Sequence, residues 1–293
     1  MVFKTLIKAL KPFRLISLVT TYLLGAGLVQ YVREMKSWSV FIQGGVLLLL
    51  ISLSVELLGL LHAMTSPQSW PDGITFRDVR QIRWVIAMLT GTLLTVATTI
   101  FITWMQVGIL WQGLAFLLGA LLIVGGFYYL SQIVEILKRY QLLIEVLLYV
   151  VIPPGVAYFL QSTDLHRLLT MVVISLVPGY LANRLLGLLQ RFGRDHQLGV
   201  STLVTAIGWE NAMFYHNALI LLTYFLFALI TLVGFPWFLI WPVFLTLPIG
   251  LVSLWLMERV RQGMKPLWRV MRFATASVFF IPIYLIGFAF WIR

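Results

Sequence analysis

Apolar residues run through this chain in long unbroken stretches, and the polar positions gather between them. Nine such stretches predict membrane-crossing helices near 13–31, 38–62, 84–105, 109–130, 141–160, 166–190, 212–235, 237–257 and 268–291. Each holds about the 20 residues that carry a helix across about 30 Å of hydrocarbon. A barrel strand would instead alternate polar and apolar positions over about 10 residues. The predicted fold class is all-α, a polytopic membrane bundle of nine transmembrane helices. No linker long enough to separate two domains breaks the pattern, so 1–293 reads as one transmembrane domain. The longest polar stretches, 63–83 and 191–211, exceed the usual helix-bundle connection, and connections of that length usually carry function.

Composition agrees with the pattern. Hydrophobic residues make up 61% of the chain, charged residues 11%, and mean hydropathy is +0.97. A water-soluble fold needs more polar surface than this, and a disordered chain far more. The absence of cysteine excludes disulfides and thiolate metal sites. The net charge of +11 would in water point to nucleic acid, but its distribution points elsewhere. One side of the predicted bundle holds Lys4, Lys8, Lys11, Arg14, Arg77, Arg80, Arg83, Lys138, Arg139, Arg184, Arg191, Arg194, Arg259, Arg261, Lys265, Arg269 and Arg272. The other holds only Arg33, Lys36, Arg167 and Arg293. That asymmetry predicts an integral membrane protein of a bacterial inner membrane, with a cytoplasmic N-terminus, an external C-terminus and no nucleic-acid partner. Trp38, Trp84, Trp104, Trp237, Trp268 and Trp291 sit at predicted span ends, where an amphipathic ring is favoured. A removable signal peptide is the alternative for the first span, although no clear small-residue cleavage site follows it.

Ionisable residues inside the hydrocarbon are costly, about 2.5–3.5 kcal/mol each on insertion scales, so the few present carry information. Glu56, Glu145 and Arg184 fall within predicted spans, with His62 and His216 nearer span ends. Ser52, Glu56, Gly59 and Ala63 share one helical face, as do Gly179, Asn183 and Gly187, with Arg184 beside them. Such small, polar stripes either face a cavity or pack helix against helix. Arg191 and Arg194, next to Asp195 and His196, make a basic cluster that reads as an anion site or as lipid-headgroup contact. The scattered histidines read better as hydrogen-bonded packing residues than as pigment or heme ligands. There is no HExxH spacing, and no P-loop supports ATP-driven transport.

The stretch Asp195-His-Gln-Leu-Gly199-Val-Ser-Thr202-Leu203, continuing to Gly208 and Ala212, resembles the segment after the sixth span of the UbiA-type intramembrane aromatic prenyltransferase superfamily. That superfamily includes the ubiquinone, menaquinone, heme O and chlorophyll-tail transferases. Lys11-Pro12-Phe13-Arg14, Leu24-Gly25-Ala26, Tyr140 to Glu145, Pro154-Gly155 and Tyr158 are similar to further family segments, and nine spans match its architecture. The resemblance covers essentially the whole chain. It implies a helical bundle around a lipid-accessible cavity, with Asp-rich motifs holding Mg²⁺ that clamps an isoprenoid diphosphate while an acceptor attacks the allylic cation. Metal neutralises the charge that develops on the departing diphosphate, and Mg²⁺ takes hard oxygen ligands.

The chain departs from the family at those carboxylates. Asp195 matches the later Asp of the second motif, but Arg191 stands where the earlier one belongs. At the end of the second span, Glu56 falls near the family's first Asn and His62 near its Asp residues, and no aspartate precedes Asp72. The candidate catalytic and metal residues are Glu56 and Asp195, with Asp72 or Asp78 as additions. The substrate-binding candidates are Arg191, Arg194, Asn183, Arg184, Tyr140, Glu145, Lys138 and His62. Three expectations stay open. The first is a degenerate, non-catalytic member binding a quinone, isoprenoid or other lipid, alone or with other membrane subunits. The second is an active, Mg²⁺-dependent transferase with an altered site. The third is a small transporter of anionic lipid.

Overall fold

The computed structural model describes residues 12–32, 37–63, 76–107, 140–162, 166–197, 199 and 201–292. Their regular structure is helical throughout. In chain order the helices are α1 (Pro12–Val32), α2 (Trp38–Ala63), α3 (Phe76–Val107), α4 (Gln141–Phe159), α5 (Arg167–Leu189), α6 (Phe192–Gln197), α7 (Leu203–Ile207), α8 (Trp209–Leu232), α9 (Trp237–Arg261) and α10 (Trp268–Ile292). All but the short α6 and α7 are long and apolar enough to cross a membrane, which makes eight spans among the described residues. The predicted span 109–130 and Lys138 lie outside the described residues.

Two predicted boundaries move. α3 begins at Phe76 rather than at 84, so Arg80 and Arg83 ride on its first turns. The predicted polar stretch 191–211 contains α6, α7 and the start of α8. Hydropathy marks the part of a helix that sits in hydrocarbon, whereas backbone hydrogen bonds continue beyond it. The turn into α8 is made by Gly208, whose φ of 87° is open to glycine at no steric cost. Thr202 opens α7 with a capping box, in which its hydroxyl accepts from the Thr205 N–H and the Thr205 hydroxyl accepts from the Thr202 N–H.

α1 is the hub, packed against α2, α4 and α10, while α5 packs on α8 and α10. α3 packs chiefly on α2 and is the least buried span. Lipid tails are as apolar as leucine, so spans associate through close packing and hydrogen bonds rather than through hydrophobic burial. Gly25 shows the first device. A Cβ there would lie 2.4 Å from the Pro154 carbonyl oxygen, so only glycine lets α1 come this close to α4. Thr21, one turn earlier on the same face, shows the second. α4 carries Pro153 and Pro154, which have no N–H to give, and a π-helical segment, Leu147–Val151, precedes them. The Tyr149 carbonyl therefore lacks a donor at both four and five residues ahead. The Thr21 hydroxyl supplies one at 2.9 Å. At the far end, the Gln161 side chain accepts from the Ser37 N–H at 3.1 Å and donates to the Ser37 carbonyl at 2.8 Å, tying α4 to the start of α2.

Candidate functional site: a buried chain of alternating charges

Four spans bring charged side chains to one level of the bundle. Arg14 comes from the first turn of α1, Glu56 from the late part of α2, Glu145 from the start of α4 and Arg184 from the late part of α5. Arg14 donates through Nη1 to Glu56 and through Nη2 to Glu145. Arg184 donates through Nε to the other oxygen of Glu145 and through Nη2 to Oε1 at 3.1 Å. The sequence of charges is thus Glu56, Arg14, Glu145, Arg184. Side-chain exposure is 6% for Arg14, 8% for each glutamate and 19% for Arg184, so the chain of charges opens outward only at the Arg184 end.

Neutral groups complete it. The Tyr149 hydroxyl donates to Glu56 Oε1 at 2.8 Å, the Ser52 hydroxyl lies 3.5 Å from it, and the Tyr149 ring lies 5.9 Å from the Arg14 guanidinium. Tyr180 is fully buried beside the Phe13 and Phe279 rings, and its hydroxyl has no hydrogen-bond partner among the described residues. Moving an ion into low dielectric costs several kcal/mol, and only pairing with good geometry offsets that. Arg14 suits the position because a planar guanidinium can hold two carboxylates at once.

Of the sequence-predicted residues, Glu56, Glu145 and Arg184 meet in this network. Asn183 lies next to Arg184, half-buried. The stripe it belongs to divides in two. A Cβ on Gly179 would lie 3.5 Å from the Thr223 hydroxyl, whereas one on Gly187 would meet nothing within 4 Å. Tyr140 stands exposed before α4. Arg191 and Arg194 are exposed and Asp195 is half-buried on or beside α6, and none of them forms an ion pair with another described residue. His62 sits on the last turns of α2, but its side chain, like those of Asp72 and Asp78, lies outside the described residues. His216 is fully buried and within hydrogen-bond reach of Asn217 and Thr275, as a packing histidine would be.

In the sequence Arg14 reads as a marker of the cytoplasmic side and as part of the family-like Lys11–Arg14 segment, not as a site residue. A signal was present, since Arg14 falls inside the first predicted span. Arg14 and Arg184, with Glu56 and Glu145, are charges within spans that need partners there.

The described residues on their own do not make the Mg²⁺ site that the resemblance implies. Among them no three histidine, aspartate or glutamate side chains cluster closely enough to hold a metal. Both glutamates already receive arginine N–H groups. No protein-family model and no curated protein matches the sequence. Among solved structures, a UbiA homologue from Archaeoglobus fulgidus, in a structure bound to Cd²⁺, aligns with 98% of this chain and 99% of its own. The TM-score is 0.61 and the identity 14%. With a likeness spanning the whole bundle, the chain has the UbiA-type prenyltransferase fold.

Proposed function

We propose that this UbiA-fold membrane protein holds a quinone- or isoprenoid-type lipid among its helices and has given up metal-dependent diphosphate chemistry. The observation that carries the reading is the engagement of Glu56 and Glu145 by Arg14 and Arg184. Mg²⁺ takes near-octahedral oxygen ligation at about 2.1 Å, and a carboxylate committed to a guanidinium must break that pair before it can serve. Arg191 beside Asp195 works in the same direction, because a cation at Asp195 would sit near fixed positive charge. At an effective dielectric of 20, a like charge about 4 Å away costs roughly 4 kcal/mol before screening.

The test is transfer from labelled farnesyl or geranylgeranyl diphosphate to aromatic acceptors by the purified protein, with and without Mg²⁺, beside mass spectrometry of the lipid that copurifies. The expected result is no transfer above background and a copurifying prenyl lipid. Mg²⁺-dependent transfer that Asp195→Ala abolishes would overturn the reading and favour an active enzyme with an altered site. The retained Gly199 to Leu203 segment, with its capping box at Thr202, favours that second reading.

A further inference from the structure

The turn from α9 into α10 carries a run of positive charge: Arg259, Arg261, Lys265, Arg269 and Arg272. Glu258 is the only acid between 247 and 292, and Arg261 pairs with it at 3.2 Å. Lys265, Arg269 and Arg272 stand exposed, and neither they nor Arg259 form an ion pair with another described residue.

Arg259 is set apart by how the local fold holds it. α9 ends in a Schellman turn. Gly263, at φ 88°, gives its N–H to the Val260 carbonyl at 3.0 Å, and Met264 gives its N–H to the Arg259 carbonyl at 3.0 Å. The turn brings Met264 back over the helix, where its sulfur accepts from Arg259 Nε at 3.0 Å. The guanidinium also lies 4.5 Å from the centre of the Trp255 ring, within cation–π range. A long cation near the end of a span ordinarily extends toward water. This one is half-buried and folded back along α9 over the preceding turn. Its Nη1 and Nη2 form no hydrogen bond with another described residue, so a fixed fork keeps its terminal nitrogens uncommitted. Val252 and Trp255 share the Arg259 face of α9 and are exposed, an apolar strip that meets acyl chains in a membrane.

We infer that Arg259 binds the phosphate of an anionic membrane phospholipid, whose acyl chain lies along Trp255 and Val252. A guanidinium fork matches phosphate oxygens. A soluble anion would use the fork and leave the apolar strip uncovered. A zwitterionic head brings its own cation against Lys265, Arg269 and Arg272, whose field favours a head of net negative charge. The site lies on the lipid-facing surface, draws on no residue of the buried network, and stands or falls independently of what the bundle holds among its helices.

The experiment is native mass spectrometry of the full chain in detergent, titrated with dioleoyl phosphatidylglycerol, dioleoyl phosphatidylcholine and glycerol 3-phosphate. The wild type should bind phosphatidylglycerol about tenfold more tightly than phosphatidylcholine. Arg259→Gln should weaken phosphatidylglycerol about fivefold or more and leave phosphatidylcholine unchanged. Arg272→Gln removes the same charge from an exposed, screened position and should cost about twofold. Trp255→Leu keeps every charge but removes the ring under the guanidinium, and should cost about threefold. Equal losses for Arg259→Gln and Arg272→Gln would reduce the site to a diffuse basic surface and overturn the inference, as would equal binding of the two lipids. Glycerol 3-phosphate binding as tightly as phosphatidylglycerol would show an anion site that needs no acyl chain, which also overturns it. If Arg259→Gln does not fold, Trp255→Leu decides in its place: an unchanged affinity for phosphatidylglycerol sinks the proposal.

Discussion

At the scale of single residues, Arg14 is the side chain on which the interior depends. Among the described residues it is the one cation shared by two carboxylates, and its partners lie 42 and 131 positions away along the chain. Removing one member of a buried pair strands the other charge and typically costs about 3–5 kcal/mol. Arg14→Met strands Glu56 and removes one of the arginines that hold Glu145, so it should lower the thermal midpoint in detergent more than Arg184→Met does. In the latter, Glu145 keeps Arg14. Arg14→Lys should recover only part of the loss, because an ammonium is a point charge without the planar fork that reaches both carboxylates. Intrinsic tryptophan fluorescence during a thermal ramp measures all three. Equal midpoints for Arg14→Met and Arg184→Met would mean that Arg14 is not the hub. These separations also explain what the sequence concealed. A charge within a span announces that it needs a partner, but which partner is decided by helices folded side by side. The sequence offers Glu56 and Asp195 as candidate metal residues, whereas the structure gives Glu56 to Arg14 and Tyr149.

At the scale of elements, the spans themselves were legible because hydrocarbon leaves a backbone few choices. Every polar group must be satisfied within the helix or by a neighbour, so a long apolar run becomes a helix of matching length. The defects in those helices were less legible. Pro153 and Pro154 signal a break, but only the packed structure shows that Thr21 on α1 repairs it. Thr21→Val should leave the Tyr149 carbonyl unsatisfied and cost about 1–3 kcal/mol. Pro153→Ala restores an N–H four residues ahead of Tyr149. In that background the loss on Thr21→Val should shrink, and a double-mutant cycle read from unfolding midpoints reports the coupling. Additive midpoints would show that the two changes act on different groups. The Thr21 to Tyr149 bond also anchors the segment that presents Glu145 and Tyr149 to Arg14, so a local backbone defect supports the charged network.

At the scale of the whole molecule, the network constrains how the chain threads the membrane. Arg14 near the start of α1 meets Glu56 near the end of α2 and Glu145 near the start of α4, so these three points share one end of the bundle. α3 runs away from that end, since the Trp104 indole near its close donates to Gln43 near the start of α2. Val107 and Gln141 therefore lie toward opposite ends, while the crossing expected from the sequence at 109–130 lies outside the described residues. If 109–130 crosses as the sequence leads us to expect, the number of spans is odd. From the basic residues we expect the charged end to face the cytoplasm. Alkaline phosphatase fused after Arg293 should be active and green fluorescent protein there dark, while the same reporters inserted at Gly193, beside α6, should give the reverse. Matching signals at both sites would contradict the three crossings, α8, α9 and α10, that separate them. Reversed signals at both would keep those three crossings and overturn only the orientation drawn from the basic residues. The charged network would then face the external side, and a cytoplasmic supply of prenyl diphosphate could not reach it from that end.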